Sequence, residues 1–121
     1  MKTFINKTIL NLSLFLLLFS YVFAQTPIKD ILGNPLKYDG KVVTIQGKAM
    51  FVKEKVSRAG NLYTTFDLYD GEETITIFTW GHNHVKDGER VEVVGIFKET
   101  KRVGKLIFKN QIDADKIKQL K

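Results

Sequence analysis

The stretch that decides the fold is residues 41–56, which read KVVTIQGKAMFVKEKV. Apolar and polar side chains alternate along it, so Val43 and Ile45 share one face of a predicted strand. Ala49 continues this apolar face on the far side of Gly47. Because a glycine inside a long strand indicates a bulge or a sharp bend, we predict that this single strand serves two sides of a small barrel.

Four further strands follow along the chain, each separated from the last by turn residues. We predict them at residues 61–69, 74–80, 89–98 and 105–112, and Gly95 marks a second bend inside the fourth. Short turns and no predicted crossover helix favour an antiparallel sheet that curls and closes on itself. The side chains expected in its core are Ile31, Val43, Ile45, Phe66, Leu68, Ile75, Ile77, Val91, Val93, Leu106, Phe108 and Ile112.

Sequence patterns typical of short helices occur before the first and after the last predicted strand. Thr26 is a candidate N-cap, Pro27 suits the first helical position, and Gly33 can end a short helix in a left-handed conformation. The apolar side of this helix is expected over one end of the barrel. Near the C-terminus, residues 113–120 predict a last helical turn. The predicted fold class is therefore all-β, a five-stranded antiparallel barrel with a short N-terminal helix.

Residues 1–24 have the pattern of a secretory signal peptide. Lys2 and Lys7 form a basic start, a mostly apolar stretch follows, and Ala24 supplies the small residue at the predicted cleavage point. A retained membrane anchor is the open alternative, although a spanning helix needs about 20 predominantly apolar residues and this run is shorter. Cleavage would leave a periplasmic or secreted protein without a membrane span.

The chain that remains after cleavage, residues 25–121, has the size of one small domain. Removal of 24 residues from 121 leaves 97, with 17 basic and 13 acidic side chains and a net charge of +4. Such a charge favours solubility and a mild attraction to anions, but it does not by itself indicate a nucleic-acid partner. The chain has no cysteine, which excludes disulfides, thiolate metal sites, thiol catalysis and a lipid-anchored lipoprotein.

Three segments carry a family resemblance, namely YDGKVVTIQG at 38–47, YTTFDLYD at 63–70 and GERVEVVG at 88–95. Over residues 28–117 the chain resembles the bacterial OB-fold nucleic-acid-binding domain family, which includes tRNA anticodon-binding and single-strand-binding modules. The shared features are core hydrophobes and bend glycines, which are specific for the fold rather than for a ligand. The resemblance implies a non-catalytic OB-fold barrel that binds single-stranded nucleic acid. Because most such members are cytoplasmic, the export signal adds a second resemblance, to small exported bacterial OB-fold proteins.

OB barrels bind ligands on the outer face of strands two and three, flanked by the loop between strands one and two and the loop between strands four and five. Aromatic side chains there stack bases, while basic side chains in the loops follow the phosphate backbone. We expect both loops on the same rim of the barrel. The predicted aromatic residues are Tyr63, Tyr69, Phe78 and Trp80, and the predicted basic residues are Lys53, Lys55, Arg58, Lys101, Arg102 and Lys105.

Two other interpretations of this face stay open. In an exported module, the aromatic surface could instead contact an envelope protein, a glycan or a small ligand, or it could be an ordinary sheet surface with a few tyrosines. Asp67 lies among the predicted stacking residues, and its carboxylate would repel phosphates. The salt dependence of binding distinguishes a nucleic acid from a protein, glycan or small ligand, because phosphate contacts weaken steeply with ionic strength and aromatic contacts hardly respond.

Metal binding and catalysis find little support in the sequence. His82 and His84, with Asp87 nearby, are the best candidate metal ligands, but a site needs three or four and the chain has no further histidine. We therefore predict exposed loop histidines, no metal and no cofactor. Motifs for a nucleophile or a phosphate-binding loop are absent from the sequence, and the carboxylates within 67–73 suit a solvated turn better than the mouth of a secreted nuclease. We predict that the protein is not an enzyme.

Overall fold

The computed structural model describes residues 25–121, and the predicted signal peptide at residues 1–24 lies outside the described residues. Two short helices are followed by five strands. In chain order they are α1 (Ile28–Gly33), α2 (Pro35–Tyr38), β1 (Val42–Val56), β2 (Leu62–Tyr69), β3 (Thr74–Trp80), β4 (Arg90–Val103) and β5 (Leu106–Gln119). Within residues 25–121, no helix is long and apolar enough to cross a membrane.

The five strands form a closed barrel in the order β1, β2, β3, β5, β4, and β4 completes the ring by pairing with β1. Every pair is antiparallel except β3 and β5, which run parallel through residues 76–78 and 111–113. The predicted purely antiparallel sheet is wrong at this seam, because strand direction cannot alternate all the way around a ring with an odd number of strands. A five-stranded barrel closed in this way has the architecture of an OB-fold.

The first strand belongs to two sides of the barrel, as the sequence predicts. Its first half pairs with β4 through residues 42–48, and its second half pairs with β2 through residues 48–56. At the changeover, β2 comes so close that a Cβ on Gly47 would lie 2.5 Å from the carbonyl oxygen of Tyr69. Only glycine fits at this position without a shift of one of the two strands.

Gly95 marks a second close approach, between β4 and β5. The register of the two strands shifts between Val94 and Gly95, which leaves Asp115 without a partner residue on β4. A Cβ on Gly95 would overlap the carbonyl oxygen of Asp113 and lie 2.7 Å from the Cα of Ala114. The irregularity predicted at Gly95 is therefore confirmed, and the extra residue of the bulge is on β5.

The hydrophobic core fills the inside of the barrel. The helix α1 contributes Ile28 and Ile31 to it, and Val85 enters from the connection between β3 and β4. The strands contribute Val43, Ile45, Ala49, Phe66, Leu68, Ile75, Ile77, Val91, Val93, Phe97 and Ile112. Since all of these residues lie within 25–121, this segment contains the complete closed barrel together with its core.

Two residues predicted in the core are exposed instead. Leu106 is 62% exposed and Phe108 is 41% exposed. Both lie in the far part of the β4–β5 hairpin, because β4 runs to Val103 rather than ending near residue 98 as predicted. Residues 99–103 and 106–110, which we call the ribbon, have no strand partners outside this hairpin. The ribbon therefore extends past the strands that enclose the core, and its apolar side chains stay uncovered.

The helical turn predicted at residues 113–120 is wrong, because β5 continues as a strand to Gln119. This last part of β5 pairs with β4, ending at the pair Gln119 and Val91. Pairing with a distant strand buries backbone and side chains that one exposed helical turn would leave in water. The tertiary contact therefore outweighs the weak local helix signal.

The start of α1 is capped by Asp70 and not by Thr26, since no side-chain bond from the preceding residues caps this helix. Asp70 Oδ2 accepts a hydrogen bond from the backbone N–H of Ile28 at 3.0 Å. Its Oδ1 accepts the backbone N–H groups of Glu72 and Glu73, both at 3.0 Å. A single carboxylate thus joins the helix to the β2–β3 turn.

Replacing Gly95 with alanine should lower the free energy of unfolding by about 1–3 kcal/mol, because the added methyl group must push β5 away from β4. Gly33→Ala is the matched control, since Gly33 ends α1 with open space around the position of a Cβ. Urea unfolding of both variants measures the difference. Equal losses of stability in the two variants would contradict the close approach at Gly95.

The Asp70 carboxylate should make stability depend on pH. Burial alone would raise its pKa, but the N–H groups of Glu73, Ile28 and Glu72 outweigh burial and hold the pKa of Asp70 below its ordinary value. Its contribution is therefore present above the unfolded pKa of about 3.9 and is lost as the pH falls through the folded pKa.

Asp70→Ala should accordingly lower the free energy of unfolding by about 1–2 kcal/mol at neutral pH, and the deficit should shrink in acid. Urea unfolding at neutral and acidic pH measures this trend. Glu73→Ala is the control, because only the backbone of Glu73 contacts Asp70 and its side chain is exposed. A deficit in Asp70→Ala that stays the same at every pH would show that the carboxylate charge is not involved.

Candidate nucleic-acid interface

The pairing of β2 with β3 decides which side chains face outward. Tyr63 lies opposite Trp80, and Thr65 lies opposite Phe78. Because opposed residues in a sheet share a face, all four point to the outside of the barrel. Phe66, on the other face of β2, is only 2% exposed. The predicted register is therefore confirmed, and the aromatic residues lie on the outer surface.

Tyr63, Phe78 and Trp80 pack together, and we call these three residues the aromatic cluster. The rings of Tyr63 and Phe78 are stacked, with centroids 5.3 Å apart and planes at 30°. Trp80 meets Phe78 edge-on at 5.0 Å and Tyr63 at 6.2 Å. These are favourable arrangements for aromatic pairs, so the three rings stabilise one another in fixed positions. Its indole ring is the most open part, since Trp80 is 62% exposed.

Tyr69 does not join the cluster, although it lies on the same face of β2. Six residues along a strand separate it from Tyr63, which is about 20 Å. Its hydroxyl group donates to the carbonyl oxygen of Gly71 at 2.9 Å, which holds the ring at the β2–β3 turn. The structure therefore brings together three of the four predicted aromatic residues and leaves the fourth at the opposite end of the face.

Asp67 lies between these two ends of the face. Its carboxylate accepts a long hydrogen bond of 3.4 Å from the hydroxyl group of Thr76. The negative charge limits the surface that an anionic ligand can use to the part of the face around the aromatic cluster.

The first group of predicted basic residues borders the aromatic cluster. Lys55 lies opposite Tyr63 and Lys53 lies opposite Thr65, so both lysines share the outer face with the aromatic rings. Arg58 is exposed in the turn between β1 and β2. None of these three side chains forms an ion pair within residues 25–121. Three free positive charges therefore lie along one side of the cluster.

Lys101, in the second basic group, is already partnered. Its Nζ lies 3.7 Å from the centroid of the Phe78 ring and 2.9 Å from Asp113 Oδ1. Asp113 is paired with Ile96, which lies five residues before Lys101 on β4. Along a straight strand these five residues span about 16 Å, which is farther than a lysine side chain reaches. The ribbon must therefore bend back over β3, where Lys101 covers one side of Phe78.

Arg102 and Lys105 lie at the end of the ribbon, where both are exposed and neither forms an ion pair within the described residues. The ribbon leaves the barrel near the start of β3, because β5 runs parallel to β3. The β1–β2 turn lies at the opposite end of β3, next to Trp80. The ribbon therefore starts at the end of β3 opposite the β1–β2 turn and bends back toward the aromatic cluster.

A small cleft of about 190 Å³ opens beside Trp80. Its wall includes Thr79, Val85 and the carboxylate-bearing residue Asp115. The sequence interpretation missed this cleft, since it placed Asp115 in a helix. The available signal for a strand was short, since Ile112 and Ala114 alternate with polar residues but the bulge at Asp115 puts Ile117 out of phase by one residue.

The two histidines have different surroundings. His82 joins the β3–β4 connection to β1, because its Nδ1 lies 2.8 Å from Glu54 Oε2 and its Nε2 lies 3.2 Å from the carbonyl oxygen of Lys55. His84 is exposed. In the part of the chain that the structure describes, no three His, Cys, Asp or Glu side chains are grouped as a metal site would require.

Comparison with known proteins supports the fold. No protein-family model matches the chain, and no curated protein matches it. Among solved structures, a Leishmania major Friedlin protein assigned as an aspartyl-tRNA synthetase matches with a TM-score of 0.59 and 14% identity, over 79% of this chain and 20% of its own. The second OB-fold domain of replication protein A from Methanococcus maripaludis matches with a TM-score of 0.49 and 21% identity, over 68% of this chain and 86% of its own.

At 14% identity, the match to the synthetase shows a shared fold and nothing further. This chain spans about a fifth of the length of that enzyme. The ligand of the barrel must therefore be argued from its own surface.

Phe78→Ala should disrupt the packing of the aromatic cluster, because Phe78 contacts both of the other rings and Lys101. We expect a loss of about 2 kcal/mol in the free energy of unfolding, from two aromatic pairs at about 0.5–1.5 kcal/mol each. The near-ultraviolet circular dichroism of Trp80 should weaken at the same time. Tyr69→Ala is the control, and it should leave that signal unchanged. An unchanged signal in Phe78→Ala would mean that the rings do not form a fixed cluster.

Proposed function

We propose that this protein is a non-catalytic OB-fold module that binds single-stranded nucleic acid on the aromatic cluster. The observation that carries the proposal is the position of this cluster, on the outer face of β2 and β3 between two basic segments. Aromatic rings that stack bases, next to basic side chains that follow phosphates, are the elements of single-strand recognition. The OB architecture of the barrel is consistent with this use.

In this proposal each aromatic ring has a different role in base binding. Trp80 offers the most open ring and takes the first base, while Tyr63 supports a second one at its exposed edge. Phe78 lies beneath Lys101 and holds the other two rings in position rather than stacking a base itself. Tyr69 is too distant to bind the same pair of bases. Stacking at one or two positions supplies about 1–3 kcal/mol per base and discriminates little between bases.

The phosphate backbone would be held from both sides of the cluster. Lys53, Lys55 and Arg58 supply charge on one side, and Arg102 and Lys105 supply charge from the ribbon. Lys101 contributes less than a free lysine, because it is paired with Asp113, a carboxylate that it shares with Lys98. Binding should therefore be weak for a single domain and strongly dependent on salt.

We propose further that residues 1–24 export the protein and are removed after Ala24. The pattern of a basic start, an apolar stretch and a small residue supports this proposal. The site would then work in the periplasm or outside the cell. Mass spectrometry of the N-terminus of the protein from cells tests it, and a membrane-bound chain that retains Met1 would overturn it.

Trp80 provides the direct test of base stacking, because it is the one tryptophan in the sequence. Its fluorescence should be quenched by oligo-dT or oligo-U at low salt, and Trp80→Ala should weaken binding by about 1–3 kcal/mol. Tyr69→Ala removes an exposed aromatic side chain of the same face outside the cluster and should change affinity little. With folded protein, a lack of quenching at low salt would overturn the proposal.

The salt dependence of binding tests which cations reach the phosphates. Replacing Arg102 and Lys105 with glutamine should reduce the slope of log K against log salt by about 0.7 for each lost phosphate contact. Lys101→Gln should change the slope less, because that charge is paired with Asp113. The reverse order of effects would show that Lys101 leaves Asp113 in the complex.

A second candidate is an exported module that binds a glycan or another uncharged ligand at the same place. Two carboxylates favour it, since Asp67 borders the cluster on the outer face and Asp115 lines the cleft beside Trp80. Aromatic rings with neighbouring carboxylates suit a ligand with hydroxyl groups better than one with phosphates. Binding that is unaffected by salt and abolished by Trp80→Ala would favour this candidate.

A further inference from the structure

The end of the ribbon carries an apolar surface that neither the core nor the proposed base stacking uses. Val103 is 51% exposed, Leu106 62%, Ile107 52% and Phe108 41%. Four large apolar side chains thus lie within six residues, on strands whose pairing partners are each other. We call residues 102–108 the tip. Clustered exposed apolar residues of this kind usually mark a contact surface.

The charges around the tip are of one sign. Between Thr100 and Ile112 the sequence contains four basic residues and no acidic one. Lys101 is paired with Asp113 of the barrel, and Lys109 is paired with Glu99 within the ribbon. Arg102 and Lys105, beside the exposed aliphatic side chains, are the basic residues of the tip that no acidic side chain neutralises within residues 25–121.

This combination restricts the partner. A second copy of the chain is disfavoured, because two tips in contact would bring their positive charges together. A nucleic-acid strand would use Arg102 and Lys105, but of the four exposed apolar side chains only Phe108 has a flat π face on which a base could stack, and the other three would stay uncovered. A surface that is both apolar and negatively charged satisfies all of these side chains at once.

We propose that the tip inserts into the interface of an anionic lipid bilayer. The aliphatic side chains of the tip would enter the boundary between headgroups and acyl chains, as amphipathic interfacial segments do. Arg102 and Lys105 would remain at the level of the lipid phosphates. The two residues that turn the ribbon, Gly104 and Lys105, lead the tip into the surface.

Insertion is shallow in this proposal. The outer edges of the ribbon carry backbone N–H and carbonyl groups without strand partners, and such groups need water or headgroups rather than hydrocarbon. The barrel therefore stays in water, and the tip anchors it reversibly. The aromatic cluster lies outside the tip, and an oligonucleotide bound there would share Arg102 and Lys105 with the lipid surface.

The test uses residues 25–121, which contain the complete barrel, after a cooperative thermal unfolding transition has shown that the segment is folded. Co-sedimentation with vesicles of equal parts phosphatidylcholine and phosphatidylglycerol should show binding at low salt. Vesicles of phosphatidylcholine alone should bind much less. No binding to the mixed vesicles, or equal binding to both kinds of vesicle, would overturn the proposal.

Paired variants locate the contact. Replacing Leu106 and Ile107 with serine should weaken vesicle binding at least about tenfold, because two buried aliphatic side chains are lost. The control replaces Leu36 and Val42 with serine, since these side chains are as exposed but lie outside the ribbon. Equal effects of the two pairs would contradict insertion of the tip.

Phe108→Trp in a Trp80→Phe background gives an independent readout that needs no loss of function. Its emission should shift to the blue when anionic vesicles are added. An emission maximum that stays unchanged in the presence of bound vesicles would place the tip outside the bilayer. This measurement tests the proposal even if the serine variants unfold, and because it contains no oligonucleotide, its outcome does not depend on binding at the aromatic cluster.

Discussion

Closure of a five-stranded ring requires at least one parallel pair of strands, and this constraint shapes the rest of the molecule. The parallel pair here is β3 and β5, joined through Phe78 and Asp113 among others. Two parallel strands cannot be joined by a tight hairpin. The chain therefore passes from β3 to β4, which lies beyond β5 in the strand order, and returns through β5. The β4–β5 hairpin therefore starts next to β3, and its ribbon is free to bend over the outer face.

The candidate site follows from this arrangement. Asp113, on the parallel seam, lies beside Phe78 and also holds Lys101, so that one carboxylate joins the ribbon to the aromatic cluster. Close packing at Gly47 and Gly95 lets the strands bend enough for the ring to close. The outer face of β2 and β3 then presents three packed rings with basic side chains to either side. Rigid rings on paired strands, rather than on a loop, need little ordering when a ligand binds.

Much of the barrel could be predicted from local patterns. Alternation along β2 and β3 identified Phe66 and Ile77 as core and Tyr63 and Trp80 as surface, because one face of each strand is buried. What failed depended on distant pairing. Residues 113–120 carry a weak helix signal, and only their contact with β4 makes them a strand. Leu106 and Phe108 alternate like core residues, but no local pattern shows that the ribbon outruns the barrel.

Binding of single-stranded nucleic acid at the aromatic cluster, as proposed, can be tested by an amide chemical-shift titration with oligo-dT at low salt. The amide signals that should move are those of residues 62–65 and 78–81, together with those of the ribbon around Lys101. The signals of Tyr69 to Thr74, at the other end of the same strands, should stay in place. Shifts confined to the tip or to the Tyr69 end, or no shifts at all with the protein folded, would show that the aromatic cluster does not bind the oligonucleotide.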